Sequence, residues 1–469
     1  MSGGFRSRSK GGDKPAPKKQ VKRREEQFRP VPGIDAARQT AYDTLRRVSA
    51  DGAYANLTLP GLLKQRRITE RDAAFATELT YGTLRVSGVL DAVIAECSSR
   101  PLADIAPEVL DALRLGAYQL LYTRVEDHAA VDTSVRLVEA AGMEHAKGFT
   151  NGILRTITRS DDWFERLTPA DPIAAAAFQT AHPTWIAESF SQVLPADELL
   201  TALEADSERP KVHLVARPGE ISAEELALSV GGDEGQYSPY AVYLDGGDPG
   251  QLEPVRDRLA GVQDEGSQLI ARAVVEAPVA DDRGRWLDLA AGPGGKAALM
   301  GSLARIDGAH IDAVEISEHR AELIRKSVVG LPVTIHVADG RDPGLEPGFD
   351  RVLLDAPCSG LGALRRRPEA RWRKTDADIA SLNVLQFELL RSALSLVKPG
   401  GVVVYSTCSP DVRETRGIVD RAVRELGAVE EDAHALVPGM SDTGDELSVQ
   451  MWPHRHGTDA MFFAVLRRG

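Results

Sequence analysis

The feature that most constrains this chain is a series of four apolar runs in its second half, each ending in a glycine-rich turn or an acidic residue. The run over 286–290 in RWLDLAAGPGGKAALM leads into glycines, HIDAVEI ends at Glu315, VTIHVADG at Asp339, and FDRVLLDAP at Asp355. Helix-like stretches separate them. Such alternation specifies a parallel sheet covered by helices, because parallel strands need long crossovers and each crossover helix must bury its apolar stripe. Ligands bind these sheets beyond the carboxyl ends of the strands, so the glycine loop and the three carboxylates are expected to converge. An α/β Rossmann-like domain with a mostly parallel sheet is expected over 256–469.

Within that domain, Ala290, Ala291, Gly292, Pro293, Gly294, Gly295 and Lys296 form a turn whose small residues let backbone approach a ligand, with a helix opening at about Lys296. The turn is not the GxGxxG fingerprint of dinucleotide enzymes. Glu315 is placed to accept hydrogen bonds from two ribose hydroxyls, and Asp339 to reach an adenine amine. One carboxylate at a strand end commonly just caps the next helix. Four such ends together point to S-adenosylmethionine rather than a nicotinamide cofactor.

Three cysteines, Cys97, Cys358 and Cys408, are too few and too scattered for a disulfide framework or a four-ligand zinc site, which suits a reducing cytoplasm. No metal is expected. Cys97 reads as a small packing residue. Cys358 in DAPCSG and Cys408 in YSTCSP instead end strands at the ligand edge, where both can enter one pocket. A thiol matters for methylation at C5 of cytosine, because that carbon is too weak a nucleophile on its own. A thiolate added at C6 turns the ring into an enamine-like species, provided the site favours ionisation of a group with an ordinary pKa of about 8.5.

The first half differs in texture. Residues 34–165 are helical throughout, with AARQTAYDTLRRV, ERDAAFATELTYGTLR, PEVLDALRLGAYQLLY and DTSVRLVEAAG placing apolar residues three to four apart. His128 and Asp132 there are expected to be structural. Residues 166–255 suggest a small α+β connector, expected to bind RNA, with HPTWIAESF as a short helix, KVHLVAR as a strand, and GGDEGQ and DGGDPG as turns. Residues 1–33 are expected to be a disordered basic tail carrying Arg6, Arg8, Lys10, Lys14, Lys18, Lys19, Lys22, Arg23 and Arg24, against a net charge of −13 for the whole chain. That polarity can draw in phosphate without making the whole surface a polyanion binder. No stretch approaches the roughly 18 apolar residues of a membrane span.

Two resemblances add to this reading. RDAAFATELTYGTLR, LRLGAYQLLY, HAAVDTSVRLV and KGFTNGILR resemble the NusB-type helical RNA-binding domain, which implies RNA docking, with Arg85, Arg114 and Arg155 as candidate phosphate contacts. The paired cysteine motifs resemble the RsmB/Sun (Fmu) family of ribosomal RNA cytosine-5 methyltransferases. This implies Cys408 as nucleophile on C6, Cys358 in product release, Asp355 in positioning the base, and Ala290 to Lys296 with Glu315, Asp339 and Asp355 as cofactor contacts. It also implies RNA as the partner, 16S ribosomal RNA or a small-subunit assembly intermediate, with neither DNA nor membrane and with a monomeric enzyme. The chain departs from the family in AAGPGGKA, where AAPGGKT is usual, and in Arg217-Pro218-Gly219, where Arg-x-Asn is common. The segment QDEGSQ over 263–268 resembles the family's opening of the catalytic domain, in contact with RNA or bracing the cofactor strand.

Arg365, Arg366, Arg367, Arg371, Trp372 and Arg373 mix cations with an aromatic as single-stranded RNA grooves do, and are expected to touch RNA. His454-Arg455-His456 is expected to be a surface turn. Two alternatives remain at this level, a transfer-RNA cytosine-5 methyltransferase and a noncatalytic RNA-binding assembly or antitermination scaffold.

Overall fold

The computed structural model describes residue 28 and residues 30–468. The basic run from Arg6 to Arg24 lies outside the described residues. Seven helices, Ala36–Asp51, Ala55–Arg66, Glu70–Arg85, Ser87–Cys97, Pro107–Tyr122, Asp127–Ala140 and Lys147–Ile157, build the amino-terminal bundle. Their apolar faces meet in one core that includes Leu45, Leu79, Leu90, Ile94, Leu113 and Leu154. Asp35 caps the first helix by accepting from the Arg38 N–H, and Gly52 ends it in the left-handed conformation, as a helix stop requires.

The connector has two parts. Helices Pro172–Gln179, Thr184–Ser191 and Leu199–Ser207 share a core with Leu361, Leu364, Trp452 and Ala460 of the large sheet domain. A four-stranded antiparallel sheet follows, in the order β2-β3-β1-β4, from β1 (Val212–Ala216), β2 (Asp233–Glu234), β3 (Ala241–Leu244) and β4 (Ala260–Val262). Residues of GGDEGQ, expected as a turn, thus supply a short edge strand. The sheet also runs past residue 255, where the sequence ends the connector: Leu214 pairs with Val262, so β4 closes the small sheet.

The second sheet carries the alternation seen in the sequence. Its strands are β5 (Arg285–Asp288), β6 (His310–Val314), β7 (Val333–His336), β8 (Phe349–Asp355), β9 (Val397–Thr407), β10 (Val429–Glu431), β11 (Val449–Gln450) and β12 (Phe462–Arg467). The order is β10-β12-β9-β8-β5-β6-β7, with β11 on β12. Strands β7 to β9 of this path are parallel, while β12 runs against β9. Alternate side chains feed two cores: Trp286, Leu353, Val402 and Val404 meet helices Glu265–Glu276 and Gly295–Asp307, while Leu287, Val352, Leu354 and Val403 meet Asp376–Leu396 and Arg416–Leu426. From β5 the chain first adds β6 and β7 on one side, then returns to place β8 and β9 on the other. The carboxyl ends of β5 and β8 therefore flank the point where strand order reverses, where a doubly wound sheet opens a crevice.

Candidate active site

That crevice is a cavity of about 570 Å³, within the usual range for small-molecule sites. It is lined by Ala290, Gly292 and Pro293 after β5, Glu315 after β6, Asp339 beyond β7, Asp355 at the end of β8, Cys358 after it, and Cys408 after β9. Ala291 and Gly294 complete the turn behind this surface, and Gly295 and Lys296 open the helix that follows it; none of the four lines the cavity. The turn holds its register on the sheet, since Leu289 N donates to Leu353 O at 2.9 Å and Ala291 N to Val314 O at 2.9 Å.

Gly292 brings backbone close to the acid: a Cβ there would fall 2.0 Å from Glu315 Oε2, so a larger residue would have to displace that carboxylate. Glu315 is 4% exposed and accepts from Ser317 N at 2.9 Å, with Arg320 Nε 3.5 Å from its second oxygen. Asp339 is held below the usual carboxylate range by its hydrogen bonds from Arg341, one of them 2.6 Å. Backbone brought against a strand-end carboxylate, with further carboxylates around one cavity, suits a cationic nucleoside such as S-adenosylmethionine; Glu315 and Asp339 would hold its adenosine part.

The sulfurs of Cys358 and Cys408 lie 3.4 Å apart. Two loops that are 50 residues apart meet because β8 and β9 are neighbours, with Ala356 N donating to Ser406 O at 2.8 Å. The hydrogen bond with Cys408, together with burial, pushes the Cys358 thiol well above its ordinary range, so Cys358 keeps its proton. Beside them, Lys296 Nζ donates to Asp355 Oδ2 at 2.8 Å and Ser406 Oγ to Asp355 Oδ1 at 3.0 Å. Burial alone would lower the Lys296 pKa, but the Asp355 charge outweighs it and the ammonium persists. Lys296, expected to contact cofactor, donates here to Asp355 and orients its carboxylate.

A family model described as 16S rRNA methyltransferase RsmB/F matches residues 273–467, and a NusB family model matches residues 35–159. A protein of Mycobacterium tuberculosis (strain ATCC 25618 / H37Rv), assigned as a methyltransferase, is 57% identical over 93% of this chain and 97% of its own length. Ribosomal RNA small subunit methyltransferase B of Salmonella newport (strain SL254) is 32% identical over 87% of this chain and 96% of its own length. The chain belongs to the RsmB/F methyltransferase family. Among solved structures, PH0851 overlays with a TM-score of 0.80 at 22% identity, covering 94% of this chain and 100% of that one. At that identity the likeness shows a shared fold.

In this RsmB/F protein the arginine cluster after Pro357-Cys358 corrects the sequence reading. Arg365 and Arg366 pair with buried Asp459 and Asp264 at 2.7 to 2.9 Å. Arg371 is fully buried, donating to Ala181 O, Ser207 Oγ and Asp206 O at 2.9 to 3.0 Å. Trp372 packs on the bundle core and donates to Leu84 O at 2.8 Å, and Gly88 leaves room for its ring. Arg371 and Trp372 join domains, and Arg365 and Arg366 brace the sheet domain from within, instead of facing a groove; a planar guanidinium can satisfy several buried oxygens at once. Arg371→Ala would leave those acceptors unpaired across an interdomain seam, costing about 2–4 kcal/mol. Calorimetry should show a Tm lowered by several degrees, and an unchanged Tm would contradict this role. Only Arg367 and Arg373 of the cluster reach the cavity.

Other candidates also resolve. Arg114 is held by Asp91 at 2.7 Å, Arg85 is half-buried, and Arg155 is exposed. Arg217 is half-buried and donates to Ser327 O at 3.4 Å. The 263–268 segment braces the two sheets: Glu265 accepts from Tyr237 N and Ser238 N at 2.7 Å, and Gln268 donates to Leu214 O at 3.1 Å. His454 and His456 are not on a surface turn. His456 is buried, with its Nδ1 accepting from Trp452 N at 2.9 Å, and His454 bonds Glu198 at 3.0 Å. Among the described residues no group of three metal-ligating side chains forms, and no helix is long and apolar enough to cross a membrane.

Two acids escaped the sequence reading. Glu414 is wholly buried and accepts from Ser359 N at 2.8 Å and Gln386 Nε2 at 2.9 Å, tying the two cysteine loops together. Asp288, at the end of β5, is 1% exposed, and neither of its carboxylate oxygens meets a donor at bonding geometry among the described residues. Burial, then the nearby Asp355 charge, pushes it up to about 7. A carboxyl raised on folding favours the folded state most below its unfolded pKa, and that contribution is lost as pH rises through the folded value. Asp288→Asn should therefore raise Tm at pH 8 much more than at pH 5.5; an equal shift at both would contradict the assignment.

Proposed function

We propose that this RsmB/F protein transfers a methyl group from S-adenosylmethionine to C5 of a cytosine in 16S ribosomal RNA. The observation that carries the reading is the 3.4 Å meeting of Cys358 and Cys408 in a cavity shared with Glu315, Asp339 and Asp355. When bound, S-adenosylmethionine supplies an electrophilic methyl group. Family membership supports methyl transfer, and the name of the Salmonella relative supports ribosomal RNA as the substrate class.

In this reading the target cytosine is turned out of its stack, because C6 of a stacked base cannot meet a thiol held inside a cavity. Cys408 Sγ adds to C6 with the hydrogen bond from Cys358 steadying its negative charge. Asp355, fixed by Lys296 and Ser406, faces the base and accepts from its exocyclic amino group, which orients C6 toward Cys408. The electron pair that the addition pushes from C5–C6 onto C5 then forms the bond to the methyl group, as the methyl–sulfur bond breaks and its pair stays with the departing S-adenosylhomocysteine. Loss of the C5 proton to a base returns an electron pair to C5–C6 and expels Cys408 as thiolate, with Cys358 assisting release.

The test is methylation of a 16S ribosomal RNA transcript with isotopically labelled S-adenosylmethionine, followed by nucleoside analysis. Label in 5-methylcytidine supports the proposal. Label in another nucleoside, or in a transfer RNA transcript alone, overturns the base or the substrate respectively.

A further inference from the structure

One residue of the bundle lines the cavity of the methyltransferase domain. Tyr54, in the corner between helices Ala36–Asp51 and Ala55–Arg66, lines it together with Arg367, Arg373 and Lys374, Cys358 and Cys408. Its ring is 49% exposed, although it belongs to a corner that is firmly held. Ala55 N donates to buried Glu369 Oε1 at 3.1 Å, and Arg373 donates to Val48 O, Gly52 O and Ala53 O at 2.6, 3.1 and 2.9 Å. The guanidiniums of Arg367 and Arg373 lie 5.7 and 6.0 Å from the ring centre. Arg373 is engaged with these carbonyls. Arg367 and Lys374 form no ion pair among the described residues.

An aromatic ring half open to solvent on a rigid corner, with guanidiniums over it and Lys374 in the same cavity, is an arrangement that can receive a base together with its phosphate. We propose that Tyr54, Arg367 and Lys374 form a subsite for the single-stranded RNA nucleotide next to the target cytosine, Tyr54 stacking on its base and the two cations holding phosphate. The inference rests on the RNA methyltransferase reading above and extends it, since it makes the bundle a part of the active site as well as a docking module. A tethered domain that contributes this contact favours transfer to RNA that engages both domains.

Stacking on one aromatic side chain is worth enough to change RNA affinity by about 5- to 100-fold. In the full chain, Tyr54→Ala should raise KM for a 16S ribosomal RNA transcript by that factor, while Tyr54→Phe, which keeps the stacking face, stays near wild type. Affinity for S-adenosylmethionine, measured by calorimetry without RNA, should be the same for all three proteins. Arg367→Ala should reduce the salt dependence of RNA binding by about one phosphate contact. An unchanged KM in Tyr54→Ala, a defect that Tyr54→Phe shares in full, or a shift confined to cofactor affinity would each overturn the subsite. Wild-type protein that forms 5-methylcytidine while Tyr54→Ala matches it rejects the subsite alone. Wild-type protein that methylates no RNA rejects the reading beneath it.

Discussion

Replacing Cys408 by alanine is expected to lower methyl transfer by at least about 10³-fold while S-adenosylmethionine still binds. Without a sulfur to add at C6, C5 of cytosine stays an aromatic carbon with little tendency to attack a methyl group, and no other side chain in the cavity can replace that electron supply. Cys358 is the neighbouring thiol, but the hydrogen bond and burial that raise its pKa keep it protonated and a poor nucleophile. Single-turnover transfer to 16S ribosomal RNA, with cofactor binding measured in parallel, gives the answer. Turnover close to wild type would remove Cys408 from the chemistry.

Cys358→Ala should have the opposite signature, a covalent protein–RNA complex that accumulates and survives denaturation. Cys358 Sγ is the group 3.4 Å from the sulfur that must leave C6, so its removal leaves addition possible and impairs release. A denaturing gel after incubation with RNA and S-adenosylmethionine should show the slow-moving species in Cys358→Ala. It should disappear in the double variant Cys358→Ala/Cys408→Ala, because the bond is to Cys408. Absence of the species in the single variant, or its persistence in the double one, contradicts the division of labour between the two thiols.

The catalytic sheet was legible in the sequence because its signals are positional. Apolar runs specify buried parallel strands, and the residues at their ends must lie on one edge whatever the packing. Glu315, Asp355, Cys358 and Cys408 therefore come together as the motif order implies. The arginine cluster misled for a physical reason: a guanidinium suits phosphate and buried carbonyl oxygens equally well. The choice between them depends on burial, which for Arg371 is set by Ala181 and Asp206 from a distant part of the chain. Similarly, β4 is too short for its alternation to show, and its place in the small sheet follows from pairing with β1. Asp288 did carry a signal, a lone acid inside an apolar strand, whereas Tyr54 carried none because its meeting with Arg367 is a matter of domain packing.

The central claim is that this protein makes 5-methylcytosine in 16S ribosomal RNA through Cys408. Bisulfite sequencing of total RNA from source cells lacking the gene, restored with the wild-type chain or with Cys408→Ala, tests it most directly. The account predicts one 5-methylcytosine in 16S ribosomal RNA that is lost with the gene, returns with the wild-type chain, and does not return with Cys408→Ala. An unchanged 16S pattern in cells lacking the gene, or full recovery with Cys408→Ala, would contradict it.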